Sequence, residues 1–328
     1  MESCCVVVPR ERGEEVRLEL AERGLLDDSL EIRVDGDAIL IPVDGEVDGG
    51  FDGDVDVRRA EFEPRDVQRS PSDILGYEPS FEVVGDVALV EDEPREAADA
   101  VVEADNNVRS VYRVDSPVRG RERTRDLVHL AGDDDTEVVH REYGVEIQVD
   151  LADVYFSPRL AEERRRVASQ VEDGERAFDM FAGAGPYSVA LALEGAEVVA
   201  CDVNPAAVDY LRRNAERNGV SGRVTARHSD AREVAAEIDD VDRVVMNLPH
   251  TADDFLGSAF EAAGDSAVLH YYDIRHEDDL FDGAVEAVES AASDAGYEVE
   301  VLERVVVRSY APYDYNVCLD VAVERTSR

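Results

Sequence analysis

The sequence predicts an α/β protein, a doubly wound, Rossmann-like domain preceded by two small α/β or β-rich modules. Three observations carry this. From about Tyr155 onward, strand-like and helix-like segments alternate regularly, the pattern of a largely parallel sheet covered by helices. The chain then closes on two apolar runs, EVEVLERVVVRSY and YNVCLDVAV, with no helix between them, so the last strand must be reversed. Upstream of residue 150 the segments are short and divided by acidic or Gly-rich stretches, which suits small modules.

The first module reads as a strand at CCVVV, a helix over EEVRLELAERGLL and a strand at AILIPV. It ends in the acidic, Gly-rich loop DGEVDGGFDGDV. After SPSDILGYEP, the second offers VGDVALV, a helix REAADAVVEA, VRSVYRV and the strand-like EVVHREYGVEIQVDL. In the third region a helix follows Pro158. Strands RAFDMF, EVVACD, RVTARHS, DRVVMNL and SAVLHYYDI come next, with helices PYSVALALEG, PAAVDYLRRNAERNG, FLGSAFEAAG and DGAVEAVESAASDAG among them.

A chain of 328 residues suits one catalytic domain with smaller appendages. Its acidic residues number 77 against 34 basic ones, a net charge of −43, and every basic residue is arginine. Spread evenly, such an excess fits a surface that stays hydrated in molar salt, where the Debye length shrinks to about 3 Å; an ordinary acidic protein is the plainer alternative. Acidity would normally count against a nucleic-acid partner. Salt adaptation can set surface charge independently of the ligand, which weakens that argument. Four cysteines are too few and scattered for a disulfide framework, and Cys201 and Cys318 sit in apolar runs that predict buried thiols. No Cys and His cluster has metal-ligand spacing, so no metal is expected. The acidic N-terminus and the absence of a long apolar run predict a soluble, cytoplasmic protein.

The chemistry centres on DMFAGAGPYS, Asp179 to Ser188, which follows a strand and opens a helix. Gly183 and Gly185 let the backbone approach a ligand closely, and a helix start offers unpaired N–H groups. Ser188 stands where the dinucleotide fingerprint needs its third glycine. Alone this turn is weak evidence. Asp202 ends the next strand, where a carboxylate can accept both ribose hydroxyls of a nucleoside, and Asp230 ends the one after, within reach of an adenine amino group. Exposed turn aspartates are the alternative for each; their joint placement points to a cofactor. Lacking both a phosphate-binding lysine and a full dinucleotide motif, the site favours S-adenosylmethionine. The fourth strand ends in Asn247-Leu248-Pro249-His250, where amino-group methyltransferases carry an Asn/Asp-Pro-Pro-aromatic motif. An Asn amide offers donor and acceptor to a flat base edge, although Asn and Pro also favour a plain turn.

Taken together, MFAGAGPYS, DVNP at 202–205, MNLPH at 246–250 and HYYDIR at 270–275 resemble the archaeal and eukaryotic tRNA (guanine(37)-N1)-methyltransferase family. VYFSPRLAEERRRV at 154–167 is similar to the signature that precedes its catalytic sheet, and GRERTR and HLAGDDDTEVVHREYG to its middle domain. The resemblance implies a class I methyltransferase domain over 150–328, a middle RNA-binding domain over 70–149 and an N-terminal domain over 1–69 that inspects the outer corner of the tRNA. It implies tRNA as partner, through anticodon stem-loop and outer corner; a monomer with no membrane association is expected. By the same resemblance, Arg164, Phe181, Asp202 and Asp230 would contact S-adenosylmethionine beside Gly183 and Gly185. Tyr155 and Pro249 would shape the guanine pocket with Asn247, and Arg123 and Glu163 would form the catalytic polar pair. Arg121, Arg123 and Arg125 alternate there, and the sequence leaves open which one acts.

Guanine N1 carries a proton at neutral pH, so the reaction needs an acceptor, which Glu163 would be if burial raised its basicity. Arg123 would stabilise charge moving onto O6. Rivals with the same fold and cofactor are an aminocarboxypropyl transferase of wyosine synthesis, whose resembling members lack Asn-x-Pro, and a dual enzyme that also methylates a wyosine precursor. A non-catalytic RNA-binding module would predict a damaged cofactor turn. A small-molecule methyltransferase would leave the first 150 residues without a role.

Overall fold

The computed structural model describes residues 1–326 other than 46, 48–54, 66–68 and 106, so most of the Gly-rich loop expected over 44–55 lies outside the described residues. The chain divides into two compact units, Met1–Ser70 and Pro71–Arg328.

In the first unit, β1 (Glu2–Pro9), β2 (Arg33–Asp35), β3 (Ala38–Val43) and β4 (Asp56–Glu61) form an antiparallel sheet in the order β2-β3-β1-β4. Helix α1 (Gly13–Glu22) lays Val16 and Leu20 on Val6, Val8 and Ile41 of that sheet. It ends four residues short of the helix expected through Leu26, because Gly24 turns the chain at a φ of +66°.

The second unit opens with α2 (Pro71–Leu75) and the sheet β5-β6-β7-β8, formed by Phe81–Val84, Val87–Val90, Ser110–Val114 and Leu127–Gly132. Strands β6 and β7 run parallel across α3 (Arg95–Ala104), the one helix whose bounds match the sequence pattern residue for residue. EVVHREYGVEIQVDL is not one strand but a hairpin, β9 (Glu137–Glu142) and β10 (Val145–Asp150). Tyr143 and Gly144 both take positive φ, +43° and +85°, which a tight two-residue hairpin turn requires.

The remainder is a seven-stranded sheet in the order β13-β12-β11-β14-β15-β17-β16. Strands β11 (Arg176–Asp179), β12 (Glu197–Asp202), β13 (Val224–His228), β14 (Val241–Met246) and β15 (Ala263–His276) are parallel. Strand β17 (Asp314–Arg325) runs antiparallel between β15 and β16 (Tyr297–Ala311), the reversal expected from the sequence. Helices α4 (Ala161–Ala168), α5 (Pro186–Leu193) and α6 (Pro205–Arg217) pack on one face, where Val189 and Leu211 share a core with Ile147 and Val149 of the β9-β10 hairpin. On the other face α8 (Leu256–Ala262) and α9 (Asp282–Ala295) bring Phe260 and Val288 against Leu269 and Val321. Each such fully buried side chain contributes about 1.5–3 kcal/mol.

Two helices escaped the sequence reading, α2 and α7 (Ala231–Ala235), each five residues long and too short to show a period. The signal for α7 was Asp230, whose carboxylate caps it by accepting from Arg232 N at 3.0 Å. The chain leaves β11 for β12 on one side and later crosses to β14 on the other. Ligands of open α/β sheets bind at the carboxyl ends of strands beside such a switch point. Among the described residues no helix is long and apolar enough to cross a membrane.

Candidate active site

Where β11 ends, Met180 N donates to Val245 O of β14 at 3.1 Å and Ala182 N to Cys201 O of β12 at 2.9 Å, so the following loop is sewn across the switch point. Gly183 and Gly185 both take positive φ, +55° and +85°. Gly185 caps α5, and a Cβ there would stand 2.2 Å from Leu211 Cδ1; Pro186 then supplies a first helical residue with φ already set. Gly183 keeps an open approach and donates its N–H to Asp202 Oδ2 at 2.8 Å.

Asp202, at the end of β12, also accepts from Asn204 N at 2.9 Å. Burial pushes its carboxyl above the usual range, against these backbone N–H groups. Asn204 caps α6 through Oδ1, accepting from Ala206 N at 2.9 Å, while its Nδ2 donates to Asp153 O at 2.8 Å. Phe181 meets Phe255 edge to face at 4.9 Å between centroids, and the Arg232 guanidinium lies 3.8 Å from the Phe255 ring. Asp230 pairs with the exposed Arg121.

These groups line one end of a cavity. Arg123 and Asn247 line the other end with Tyr155, Pro249, Arg308, Tyr310 and Asn316. Arg123 and Arg125 both stand over the Tyr155 ring, at 5.6 and 6.0 Å, but only Arg123, with Arg121, belongs to the cavity wall. His250, at a φ of +87°, packs edge to face on Tyr310 and ties the Asn247-Pro249 turn to β16.

The site residues assigned from the sequence line this cavity except Gly185 and Glu163, and of the three alternating arginines Arg125 does not. Gly185 serves the loop through its contact with Leu211. Glu163 is 5% exposed and lies behind the wall. Arg166 grips both of its oxygens at 2.8 Å, and the Tyr272 hydroxyl donates to Oε1 at 2.7 Å. Tyr187, which does line the cavity, donates its hydroxyl to that of Tyr272 at 3.0 Å. Two hydroxyls thus link the carboxylate to the cavity wall. Arg164 is held along one edge by Glu142 of β9, at 2.5 and 2.6 Å, with Ser157 O at 3.1 Å. Its Nη1 takes no part in these bonds.

Below this lies a buried polar cluster that sequence spacing did not reveal. The register of β15 against β17 sets His270 opposite Asp320, with Nδ1 2.7 Å from Oδ1 and Cys318 beside them. Arg166 donates to both Asp320 oxygens, at 2.5 and 3.0 Å, and Arg243 to His270 Nε2 at 2.7 Å. Burial alone would raise the Asp320 carboxyl, but hydrogen bonds from His270 and Arg166 hold it far below the usual range. Cys201 and Cys318 are buried, as their strands implied. Asn204, Phe255, Arg308, Tyr310 and Asn316 were missed. Asn204 could have been found from its place before a helix-opening proline; the hairpin residues carry no local signal.

Residues 138–301 match the TRM5/TYW2 methyltransferase domain and residues 5–52 the tRNA methyltransferase 5 N-terminal domain. The tRNA (guanine(37)-N(1))-methyltransferase Trm5b of Pyrococcus abyssi is 39% identical over 97% of this chain and 98% of its own. Its crystal structure matches with a TM-score of 0.74, covering 98% of this chain and 99% of that one. The complex of aTrm5 with tRNALeu matches with a TM-score of 0.79 at 31% identity, over 97% and 99% of the two chains. TYW2 of Methanocaldococcus jannaschii in complex with AdoMet covers 75% of this chain and all of its own, with a TM-score of 0.61 at 28% identity. The chain therefore belongs to the archaeal and eukaryotic Trm5b family of tRNA (guanine(37)-N(1))-methyltransferases, built on the class I methyltransferase fold.

Proposed function

We propose that this chain transfers a methyl group from S-adenosylmethionine to N1 of guanosine 37 of tRNA, beside the anticodon, in the cytoplasm. One observation carries the reading: a single cavity joins nucleoside-binding fittings at the β11-β12 end to planar polar groups suited to a base at the β14-β17 end. The fittings suit the cofactor, because Gly183 admits it closely, Asp202 presents a carboxylate to a ribose diol, and Phe181 with Phe255 offers an aromatic slot. Bound there, S-adenosylmethionine supplies an electrophilic methyl group. Asp230 would exchange Arg121 for the adenine amino group, and Arg164 would face the cofactor with Nη1.

At the acceptor end Tyr155 and Pro249 would hold the extruded guanine, and Asn247 would orient its edge so that N1 faces the methyl group. As the N1 proton leaves, charge moves onto O6, where Arg123 would stabilise it. Glu163 would receive that proton through the Tyr187 and Tyr272 hydroxyls rather than by contact with the base. Residues 1–69 would inspect the outer corner of the tRNA, 70–149 would bind the anticodon stem-loop, and 150–328 would carry the chemistry. The charge of −43 without a lysine supports molar salt as the working medium.

The test is to incubate the protein with unmodified tRNA transcript and labelled S-adenosylmethionine, in molar and in millimolar KCl, and to map the product base. The expected product is 1-methylguanosine at position 37, formed faster in molar salt. A methyl group elsewhere, on the exocyclic amine, or an aminocarboxypropyl product would overturn the reading; equal rates in both salts would overturn the halophilic part.

A further inference from the structure

The acceptor end holds two polar atoms without partners among the described residues, on side chains that stand opposite each other in the strand register. Asn316 on β17 is 2% exposed, and its Oδ1 accepts no hydrogen bond from the described residues. Arg308 on β16 is its register partner, and its buried Nε donates none to them. Both line the cavity.

A strand irregularity brings them together. Val305 pairs with Cys318 and Val306 with Val317, but the register then slips, and Arg308 rather than Val307 stands opposite Asn316. Simple alternation would turn Arg308 away from the face that Val305 and Val307 share with Cys318. The bulge re-aims it onto that face, as bulges beside active sites do. A buried unpaired polar group costs about 1–3 kcal/mol, so two of them at the end of a bulge point to a ligand that completes them.

We propose that Asn316 and Arg308 read the N3 and 2-amino edge of the target guanine, a specificity device that rests on the function proposed above. With N1 turned to the methyl group and O6 to Arg123, the donor and acceptor left next to each other on the base are the 2-amino group and N3. The free carbonyl of Asn316 matches the amino donor, and the free Nε–H of Arg308 matches the N3 acceptor. A site built to bond a polar group rejects the analogue that lacks it, because its own buried group then stays unpaired.

The experiment compares tRNA transcripts carrying guanosine or inosine at position 37, since inosine lacks only the 2-amino group. Wild type should prefer guanosine by roughly 10- to 100-fold in single-turnover kcat/KM. Asn316→Leu, of similar volume, should bring that preference close to one, with affinity for S-adenosylhomocysteine and melting temperature as controls. Arg308→Met lies on the edge strand and should slow both transcripts alike, because inosine keeps N3. Equal rates on the two transcripts in wild type, a full preference retained in Asn316→Leu, or an unchanged rate in Arg308→Met would overturn the proposal. Failure of wild type to methylate guanosine 37 at all would instead sink the proposed function.

Discussion

The two ends of the cavity differ in how far their polar groups are satisfied. At the cofactor end Asp202 accepts from Gly183 and Asn204, Asn204 bonds Ala206 and Asp153, and the Ser188 hydroxyl donates to Asp179 at 2.7 Å. At the acceptor end Asn316 and Arg308 hold unpaired atoms, and His250 keeps a left-handed backbone. One end is organised before its ligand arrives; the other is completed by its ligand. A cofactor that every turnover shares suits a preformed site, whereas the base reaches its pocket only after leaving the anticodon stack. Unpaired groups there withhold stabilisation from any base that fails to match them.

The largest expected effect attacks the preformed end. Asp202→Ala should abolish measurable binding of S-adenosylhomocysteine, since the carboxylate would accept from both ribose hydroxyls in charge-assisted bonds. The protein should stay folded, its melting temperature lowered only by the loss of the hydrogen bonds from Gly183 N and Asn204 N. Calorimetric titration reads this, and unaltered affinity would place the cofactor elsewhere.

Much of this was legible in the chain. Regular alternation after Tyr155 foretold the sheet, and two terminal strands without a helix foretold its one reversed strand, next to the edge. The cofactor end was readable because its residues lie close together on two strand-to-helix turns, 179–188 and 202–205. The acceptor end draws on Arg123, Tyr155, Asn247, Arg308 and Asn316, which only tertiary folding collects. Asn247 announced itself in a motif. Asn316 could not, because an Asn in a strand gains meaning only from a bulge in its neighbour. Nor could the hydroxyl that Tyr272 gives Glu163 be foreseen, since it arrives from a strand more than a hundred residues away.

Glu163 sharpens the comparison because it belongs to neither end. If it takes up the N1 proton through the two tyrosines, Glu163→Gln should slow methyl transfer in single turnover by about 10²–10⁴. Tyr272→Phe breaks the same path and should slow the reaction to a similar degree, and the double variant should be no slower than the worse single one. Arg123→Ala should lower the chemical step by about 10²–10³ while sparing the affinity for S-adenosylhomocysteine. Should both Glu163→Gln and Tyr272→Phe melt early yet turn over at the wild-type rate, the carboxylate is only a strut for Arg166, and the proton acceptor lies on the cavity wall.

The smallest effect concerns what the preformed end costs. Asp179 is 1% exposed beneath the cofactor turn, and burial pushes its carboxyl up to about 6, against hydrogen bonds from the Ser188 hydroxyl and the Phe181 backbone. Asp202, nearby, adds to the rise. An unfolded aspartate titrates near 3.9, so the folded state binds this proton more tightly than the unfolded chain does. The stability that the neutral carboxyl contributes is therefore complete below about pH 4 and is lost as pH rises through about 6, a change of roughly 3 kcal/mol at most. Asp179→Asn keeps the neutral form at every pH and should lack that loss. Denaturant unfolding of both proteins in the same molar salt, from pH 4 to pH 7, isolates the group from the many other carboxylates. The variant should gain on wild type steadily between pH 4 and 6 and hold its lead above, while still binding S-adenosylhomocysteine. Parallel stability curves would mean that the buried carboxyl ionises without penalty, so that the preformed end carries no electrostatic cost.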